Sequence, residues 1–427
     1  MSARWLPALL LACLAALAQE EPDESAGPAP GDWTEWRVRS LHCTGLMHTD
    51  SSVILRELEL RPGVGYSDRL LQEDARAVKN TNLFARLVVS VNPDSSEEAV
   101  DIVYAVSERP SWLAYPILTP TDRLGWVYGF ALMNRNQGGM GRRLDLQAEF
   151  GEHLSYSFYL QEPWFLGRRQ PVSLYVNRRR SDSADGDYRK VNKEVRLGWQ
   201  HYFDRETLLG VHPSWQEVTV HDRRPLAQPA TSNPLGVDVF GGLGLVVERN
   251  TTDYHASPRT GSVQSAGLSA FGLGGSEMPA GLAAGLSLSR FQPLGDNLVL
   301  GLHSAADLLT GRRADYMKHY LGQRGRVRAG GVDQWPGWSL WHGSAELRMT
   351  LLPRQVFFQH VDFGLGAVAF LDGGLVWSDV FQGRRLAAGG AGVGLRLYAP
   401  FVEVGRVDLA WSPTHGAMIQ IGQGHSF

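Results

Sequence analysis

Residues 172–200 read VSLYVNRRRSDSADGDYRKVNKEVRLGWQ, and this stretch shows the pattern that decides the fold. Apolar side chains fill every second position at Val172, Leu174 and Val176, and the same alternation returns near Val195 after a charged interruption. A period of two residues is typical of a β-strand whose two faces meet different surroundings. The stretch therefore predicts two antiparallel strands joined by a charged loop.

The period of two recurs throughout the sequence from residue 112 onward, where no helical periodicity is present. We predict sixteen strands, near 112–118, 125–134, 142–151, 154–162, 170–180, 189–203, 206–220, 236–248, 260–272, 279–291, 295–309, 340–351, 365–377, 387–398, 403–411 and 416–427. A strand with its connection takes about 20 residues, which suits strands of about 10 residues that cross a membrane. The pattern predicts an antiparallel membrane barrel with an even number of strands.

The composition agrees with such a barrel, excludes a helical membrane protein and gives no support to a nucleic-acid partner. The 427 residues include 48 glycines and 13 tryptophans, yet the mean hydropathy is only -0.19. Hydropathy averages out in a barrel because lipid-facing and lumen-facing side chains alternate. After residue 18 no apolar run reaches the ~18 residues of a membrane-spanning helix, which excludes a helical membrane protein. The net charge of -3 gives no general attraction to nucleic acid.

The lengths of the connections separate a membrane barrel from a soluble β-sandwich or propeller. The long connections 221–235 and 310–339 follow odd-numbered strands, whereas the connections 204–205 and 292–294 follow even-numbered strands and are tight. The connections 249–259 and 352–364 are exceptions, because they follow even-numbered strands and are longer. Outer-membrane barrels have short turns on the periplasmic side and longer loops outside. Tryptophans such as Trp199 also lie near predicted strand ends, as an interfacial girdle requires. A soluble β-sandwich or propeller predicts neither preference and is the alternative at this point.

The N-terminus has the features of an exported protein. Residues 1–18 combine Arg4, an apolar stretch and a small-residue cleavage pattern, which predicts a cleaved signal peptide. A lipoprotein signal ending at Cys13 is the alternative. Residues 19–35 are acidic, rich in proline and not periodic, which predicts a disordered leader. Removal of the signal leaves Cys43 as the one cysteine, so no internal disulfide can form.

Residues 36–110 differ from the rest of the chain because they mix strand and helix signals. An alternating strand near Val38 is followed by two segments with helical spacing, one around Ile54 and one around Leu71. Two further alternating strands lie on either side of the turn-rich segment 93–98. The order β-α-α-β-β predicts one small α+β domain.

Several local patterns resemble the BamA/TamA family of outer-membrane assembly proteins, also called the bacterial surface-antigen family. Residues 36–108 resemble its periplasmic POTRA module, with a helix, a glycine turn, an "LF" helix end and a closing Glu-Arg in order. EPWFLG (162–167) resembles the exit of the fourth barrel strand, and ERNTTDYHASPRTGS (248–262) resembles a turn of the family. FLDGG (370–374) matches its F-x-D-x-G strand motif.

The resemblance covers almost the whole mature chain and implies its domain organisation. It implies a membrane all-β barrel of 16 antiparallel strands over residues 111–427. One small α+β POTRA domain with the order β-α-α-β-β precedes the barrel and occupies residues 36–110. The resemblance further implies that the barrel lies in the bacterial outer membrane, with the POTRA domain in the periplasm.

The long connection 310–339 contains the segment LGQRGRVRAG (321–330), which resembles the tip motif of the family, usually Val-Arg-Gly followed by Phe or Tyr. The match falls on Val327 and Arg328, directly after Arg326. Ala and Gly follow in this chain, so the last two positions depart from the pattern. Because the aromatic residue is missing, we expect this tip to be held less firmly than in typical members.

In the family this loop folds back into the barrel lumen, and its arginine pairs with the aspartate of the F-x-D-x-G motif. Carried over to this chain, the resemblance pairs Arg328 with Asp372, and Phe370 and Gly374 complete the barrel-wall motif. Physical reasoning agrees, because a carboxylate that binds a guanidinium through two hydrogen bonds fixes its orientation in a partly desolvated lumen. The alternative is a solvated surface loop that touches anionic lipopolysaccharide.

The sequence ends in Phe427, and in the family a terminal aromatic residue is the assembly signal. It would lie at the end of the final predicted strand, 416–427. Gln423 and His425 occupy positions that are usually apolar, so this strand is weakly lipophilic near its end. That is compatible with an easily parted seam between the first and last strands, and loose agreement with the family pattern explains it equally well.

The resemblance implies an assembly factor that is not an enzyme. The sequence has no P-loop, no G-x-S-x-G and no zinc-site spacing, so we predict no catalytic residues, no metal and no cofactor. The implied function is to receive unfolded β-barrel clients through the POTRA domain and to insert or translocate them at the barrel seam. The implied partners are unfolded outer-membrane proteins and outer-membrane lipids, with periplasmic chaperones or assembly lipoproteins as further candidates. A secretion pore for one exported partner, or a passive porin or structural barrel, is the alternative.

Overall fold

The computed structural model describes residues 36–427 apart from nine short segments. These segments are 122–124, 152–153, 183–187, 223–229, 275–278, 323–325, 332–333, 358–360 and 400–403. The predicted signal peptide (1–18) and acidic leader (19–35) lie outside the described residues.

The N-terminal domain has the predicted order β-α-α-β-β. Its elements are β1 Arg37–Thr44, α1 Ser52–Leu55, α2 Asp68–Asn80, β2 Phe84–Asp94 and β3 Ala99–Glu108. The sheet order is β1-β3-β2, with β3 parallel to β1 and antiparallel to β2. Helix α2 buries Leu71 and Val78 against a core that includes Ile54, Ile102 and Tyr104. The two outer strands, β1 and β2, form the edges of this sheet.

A buried carboxylate fixes the segment that follows β1. The Glu108 side chain accepts hydrogen bonds from the backbone N–H groups of Met47 (3.1 Å), His48 (3.0 Å) and Thr49 (2.8 Å). Burial opposes its ionisation, but the N–H donors outweigh burial, so the pKa of the Glu108 carboxyl lies below its ordinary value. The segment is thereby held in one conformation at the face that meets the second domain.

The second domain is a sixteen-stranded antiparallel sheet. Its strands are β4 Trp112–Thr121, β5 Gly125–Gln137, β6 Arg142–Phe150, β7 Ser155–Glu162, β8 Val172–Asp182, β9 Tyr188–Tyr202, β10 Thr207–Asp222, β11 Val237–Asn250, β12 Gly261–Leu273, β13 Ala280–Gly295, β14 Leu298–Arg312, β17 Ser339–Phe357, β18 Val361–Trp377, β19 Arg385–Tyr398, β20 Gly405–Ser412 and β21 Gly416–Gln423. A two-stranded pair, β15 His319–Tyr320 and β16 Pro336–Gly337, lies in the long connection between β14 and β17. Neighbours in sequence are neighbours in the sheet, and β4 and β21 are the two ends of the ladder.

All sixteen predicted strands are present, and their ends differ from the prediction by a few residues. Strand β17 is longer than expected and runs over Ser339–Phe357. The final strand is shorter, because β21 ends at Gln423 and the predicted strand 416–427 is wrong over its last four residues. Gly424 has a φ of +77°, a left-handed conformation that favours glycine, and the chain leaves the sheet there.

Contacts between distant strands show that the sheet is rolled into a barrel. The ring of Phe427, beyond β21 at one end of the ladder, stacks on His303 of β14 with centroids 5.0 Å apart. Arg109, just before β4 at the other end, binds Asp362 of β18. In the described part of the chain, no helix has the length and apolar character needed to span a membrane.

The alternation of side chains sorts each strand into two faces. On β21 the outward side chains of Ile419 and Ile421 are 69% and 68% exposed. On β20, Arg406 and Asp408 are buried towards the lumen, while Val407 and Leu409 are exposed. Exposed apolar and buried charged side chains on one strand are the reverse of a soluble protein's pattern, and they suit a lipid-facing wall around a polar lumen.

The N-terminal domain is docked on the turns at one end of the barrel. Arg109 donates two hydrogen bonds to Asp362, from Nε (2.9 Å) and Nη2 (2.7 Å). Arg205, in the turn between β9 and β10, pairs with the fully buried Asp74 of α2. Trp164 donates from Nε1 to Glu57 at 2.9 Å.

Two further turns complete this docking face. At the end of β5, Asn136 donates to the Thr49 hydroxyl at 2.8 Å, and in the turn that follows, the Gly139 carbonyl accepts from the Asp50 N–H at 2.9 Å. In the turn after β11, Tyr254 donates to Asn82 at 3.1 Å, and the backbone N–H of His255 donates to Asn80 at 3.1 Å. The domain therefore contacts the turns that follow β5, β7, β9 and β11, as well as the start of β18.

Replacing Glu108 by Gln should destabilise the N-terminal domain by about 1–3 kcal/mol, because one amide oxygen cannot replace a carboxylate that accepts three N–H bonds. Pulse proteolysis of the full chain in urea measures this loss. In the unmodified chain the stabilisation should be fully present above the unfolded-state pKa of about 4.3 and be lost as the pH falls through the lower native pKa. An equal acid sensitivity of the unmodified and Glu108→Gln chains would contradict this role.

Replacing Arg109 by Ala should loosen the docking by about 1–3 kcal/mol, a loss moderated because Arg354 stays beside Asp362 at 3.2 Å. Hydrogen exchange should accelerate in segments 45–50 and 250–260, each of which contacts the opposite domain at the docking face. Arg39→Ala is the matched control, because Arg39 pairs with exposed carboxylates within the N-terminal domain. Unchanged exchange in both segments would show that the Arg109–Asp362 pair does not hold the domain in place.

Candidate functional site

The connection between β14 and β17 folds back into the barrel lumen. Near its base, Tyr316 donates to Asp238 of β11 at 2.9 Å, and Tyr188 of β9 donates to Asp315 at 3.3 Å. The amine of Lys190 on β9 donates to the Tyr316 carbonyl at 3.3 Å. The loop is therefore bound to the wall opposite the strands that receive its tip.

The tip of the loop is buried at Val327, Arg328 and Ala329. Arg328, which is 1% exposed, makes three hydrogen bonds to Asp372 of β18: from its backbone N (3.0 Å), from Nε (2.8 Å) and from Nη2 (2.7 Å). The Ser344 hydroxyl accepts from Arg328 Nη2 at 3.1 Å and donates to Asp372 at 2.7 Å. The sequence-predicted pair is thus brought together in a charge-assisted geometry with several hydrogen bonds.

Three further groups surround the Arg328 guanidinium. Glu346 of β17 accepts from Nη1 at 2.5 Å, and the Ser426 hydroxyl accepts from the same nitrogen at 2.9 Å. The ring of Phe370 lies against the guanidinium, whose carbon is 3.4 Å from the ring centroid. A cation held over an aromatic face in a desolvated site is attracted to the ring.

The Arg328 site belongs to a larger charged network in the lumen. Arg348 donates to Glu346 at 2.8 Å, and Arg396 donates to Asp408 at 2.6 Å. The full network, here named the lumen cluster, comprises Arg328, Arg348, Glu346, Asp372, Arg396, Arg406 and Asp408. It holds four guanidinium groups and three carboxylates.

The loop tip also binds the last two strands of the sheet. Gln420 of β21 donates to the Arg328 carbonyl at 2.5 Å, and the Ser412 hydroxyl of β20 donates to the Ala329 carbonyl at 2.8 Å. In the turn between these strands, His415 lies 2.8 Å from Gln334 of the loop. The tip therefore joins β17 and β18 to the final hairpin of the sheet.

The remaining sequence-predicted residues surround this tip. Arg326 donates to Asp307 of β14 and to the Tyr320 carbonyl, both at 2.9 Å. Val327 packs in an apolar cluster with Leu321. Gly374 faces Leu321 so closely that a Cβ at this position would overlap it, so a larger residue in the wall would displace the loop.

The departure of the tip from the family pattern has a structural counterpart in the wall. Ala329 packs against Gly390 of β19, where a Cβ would overlap its methyl group. The extra methyl is accommodated because the wall residue is glycine. Ala329 is buried, and the ring of Phe370 lies against the Arg328 guanidinium. That the tip is held less firmly than in typical members stays a prediction.

The four residues after β21 turn into the lumen. The Gly424 N–H donates to the Val404 carbonyl at 2.7 Å, and beyond it Ser426 also accepts from Arg406 at 2.7 Å. Phe427 therefore does not end a lipid-facing strand as predicted. Its ring lies inside the barrel, stacked on His303 and on Phe291.

Sequence reasoning did not identify most of the lumen cluster. Glu346, Arg348 and Ser344 alternate with apolar residues along β17, so the period of two already assigns them to one face. Arg396 and Asp408 alternate with apolar neighbours in the same way on β19 and β20. Which of these faces pairs with the loop depends on the register between strands, which the sequence does not give.

Among the described residues, no three His, Cys, Asp or Glu side chains form a metal-binding group.

Two family models match the chain. Residues 136–427 match the Omp85 superfamily domain, and residues 37–109 match the surface antigen variable number repeat, a POTRA model. The barrel match covers more than half of the chain, and together the two matches span both folded domains. Omp85 proteins are assembly and transport factors that are generally not enzymes.

Known proteins and structures are also similar to the chain. A provisionally named outer membrane protein assembly factor from Treponema pallidum (strain Nichols) is 31% identical over 137 residues, 30% of this chain and 16% of that relative. BamA from Haemophilus ducreyi lacking POTRA domains 1–3 aligns over 91% of this chain and 83% of its own, with a TM-score of 0.55 and 16% identity. CdiB from Escherichia coli aligns over 92% and 75%, with a TM-score of 0.62 and 15% identity. At these identities the structures show the fold, a β-barrel preceded by a small α+β domain.

Replacing Arg328 or Asp372 by Ala should each cost about 3–5 kcal/mol, because Arg328→Ala leaves Asp372 without its cation and Asp372→Ala removes three of the hydrogen bonds of the buried Arg328. The double variant should cost less than the sum of the two single losses, since the partners form one unit. Heat-modifiable gel mobility and thermal unfolding of the barrel in detergent measure these losses.

Arg313→Ala is the matched control in the same loop. Arg313 pairs with the largely exposed Asp379 at 3.1 Å, and such pairs contribute about 0–1 kcal/mol. Additive losses in the Arg328 and Asp372 variants would show that the two residues act independently.

Proposed function

The chain belongs to the Omp85 superfamily, and from that premise we propose that it inserts unfolded β-barrel proteins into the outer membrane. The family places the chain in the bacterial outer membrane with a POTRA domain and supports a role in outer-membrane assembly or secretion. We propose the narrower role of an insertion factor that receives clients through residues 36–110 and delivers them to the barrel seam. Its partners are then unfolded outer-membrane proteins and outer-membrane lipids, with periplasmic chaperones or assembly lipoproteins as further candidates.

The observation that carries the proposal is the pair of short strands at one end of the ladder. Strands β20 and β21 have 8 residues each and are two short strands side by side, whereas the 8-residue β7 stands farther along the ladder and β13 on the far side has 16. Eight residues tilted by about 40° span about 20 Å. The apolar band of an outer-membrane barrel is about 25 Å tall, so the bilayer must thin to match such a wall. A thinned bilayer beside β4 and β21 lowers the barrier for a strand that enters the membrane there.

Hydrogen bonding supplies the driving force for insertion. An unfolded client strand carries unpaired N–H and C=O groups, each of which is costly in hydrocarbon. Strands β4 and β21, the ends of the ladder, can template the pairing of such a strand. The edges of the POTRA sheet, β1 and β2, can hold a client segment beforehand by β-augmentation. No catalytic group is needed for these steps, and we propose that the chain is not an enzyme.

The lumen loop keeps one side of the seam in register. Its tip binds Gln420 of β21 and Ser412 of β20 and connects both strands to the Arg328–Asp372 pair. Among the described residues, the loop makes no hydrogen bond to β4. The ends of the strands next to β4 contact the POTRA domain instead. In the proposed mechanism β21 is the fixed template and the β4 side moves with the POTRA domain.

Depletion of the protein from its host should reduce the folded, heat-modifiable fraction of other outer-membrane barrels. A copy with Arg313→Ala should restore that fraction, and a copy with Arg328→Ala and Asp372→Ala should not. Normal levels of folded outer-membrane barrels after depletion would contradict the proposal.

Two outcomes would favour the alternatives. Loss of a single exported protein, with all barrels intact, would indicate a secretion pore. Single-channel recordings before and after deletion of residues 312–334 test the passive porin. A large conductance already present in the intact protein would favour that porin.

A further inference from the structure

An aromatic recess lies inside the barrel next to the lumen cluster, and Phe427 occupies it. Its ring stacks on His303 with centroids 5.0 Å apart and planes 12° apart, and on Phe291 at 6.1 Å and 20°. The Arg348 guanidinium lies 4.9 Å from the Phe427 ring and 5.0 Å from the Phe291 ring. The recess therefore offers two stacking surfaces and a cation to one flat ring.

Space remains around the occupant. A cavity of about 270 Å³ borders Phe427, and its lining includes Phe291, Ser289, His255 and His425. His255 belongs to the turn whose backbone N–H binds Asn80 of the POTRA domain. The cavity thus lies between the recess and the domain that docks on this turn.

The segment that carries Phe427 has few polar attachments. In the described residues its hydrogen bonds come from the Gly424 N–H to Val404, from Arg328 and Arg406 to the Ser426 hydroxyl, and, at a long 3.4 Å, from Arg348 to the Phe427 carbonyl. Neither ring nitrogen of His425 has a hydrogen-bond partner among the described residues. A segment held in this way can be exchanged for another without breaking a strand ladder.

The charges around the recess favour an occupant that brings hydrogen-bond acceptors. The lumen cluster has four guanidinium groups for three carboxylates. Arg348 Nη1, Arg406 Nε and Arg396 Nε lack an acceptor within the part of the chain that the structure describes. An extended peptide presents carbonyl oxygens along its backbone, and these can accept hydrogen bonds from the three donors.

We propose that this recess is a binding site for an aromatic side chain of an extended client polypeptide, and that the chain's own Phe427 occupies it until a client arrives. The site specifies a flat ring through Phe291 and His303 and an adjacent acceptor through Arg348. Because Ser426 bonds to both Arg328 and Arg406, a client that displaces Phe427 also removes one partner from the loop tip. Occupation of the recess is thereby coupled to the hold of the loop on the final hairpin.

The inference rests on the proposed function, since it assumes that client segments reach the lumen from the POTRA side. Its test uses the purified full chain in detergent and needs no cellular client. The probe is a fluorescent peptide that copies residues 418–427, MIQIGQGHSF, and the control peptide ends in Ala in place of Phe. Fluorescence anisotropy measures the binding of both peptides.

Phe427→Ala empties the recess and should increase the affinity for the aromatic peptide by about tenfold or more over the unmodified chain. The Ala peptide should show no such gain, and adding His303→Ala to Phe427→Ala should abolish it. Phe427→Leu keeps the apolar volume without the stacking ring and should give an intermediate gain. If the Phe427→Ala variant does not give the heat-modifiable folded form, the Phe427→Leu variant is used in its place.

Equal binding of the two peptides, or no gain in affinity in either Phe427 variant, would overturn the inference. So would a gain that survives the His303→Ala change. These results leave the depletion experiment unaffected, because that experiment measures folded client barrels in cells. Failure of the binding site and failure of the insertion function are therefore distinguishable.

Discussion

The buried pairing of Arg328 with Asp372 and Glu346 is the interaction on which the lumen structure depends. A guanidinium that is 1% exposed must be fully paired, because a buried charge without partners costs several kcal/mol. Its ligands come from β17, from β18 and from the segment after β21, so a single side chain joins distant parts of the sheet. A buried ion pair is seldom more stabilising than an apolar contact of the same size. Its role here is one of specificity: it allows the loop one position in a wide polar lumen.

That position divides the barrel into two differently supported parts. The loop tip holds β17, β18, β20 and β21, whereas the POTRA domain holds the turns after β5, β7, β9 and β11. The ends of the ladder, β4 and β21, fall on opposite sides of this division. A displacement of the POTRA domain would therefore act first on the turns of the β4 side. Arg109 is the exception, since it ties the linker before β4 to Asp362 on the loop-supported side.

The sequence predicts local structure here far better than it predicts contacts between strands. Side chains alternate with a period of two wherever a strand has one face towards lipid and one towards the lumen. The sequence alone therefore locates all sixteen strands, including the hairpin in residues 172–200. The Arg328–Asp372 pairing came from family resemblance and not from residue spacing. Glu346 and Asp408 were missed because register across the sheet decides their partners. The turn at Gly424 was missed because Ile419 and Ile421 alternate smoothly up to it, and its direction depends on lumen contacts far away in sequence.

The lumen contacts also support the short strand at the edge of the sheet. Most barrel strands gain stability from two neighbours, whereas β4 and β21 each have one described neighbour in the ladder. The eight residues of β21 offer few hydrogen bonds to a partner across the seam, and under the proposed function this is the edge that opens. Stability lost at the edge is offset inside, where β21 binds the loop tip through Gln420 and its continuation binds the lumen cluster through Ser426. A strand attached from the inside can therefore give up its lateral partner and keep its place, which is the property that a template for incoming strands requires.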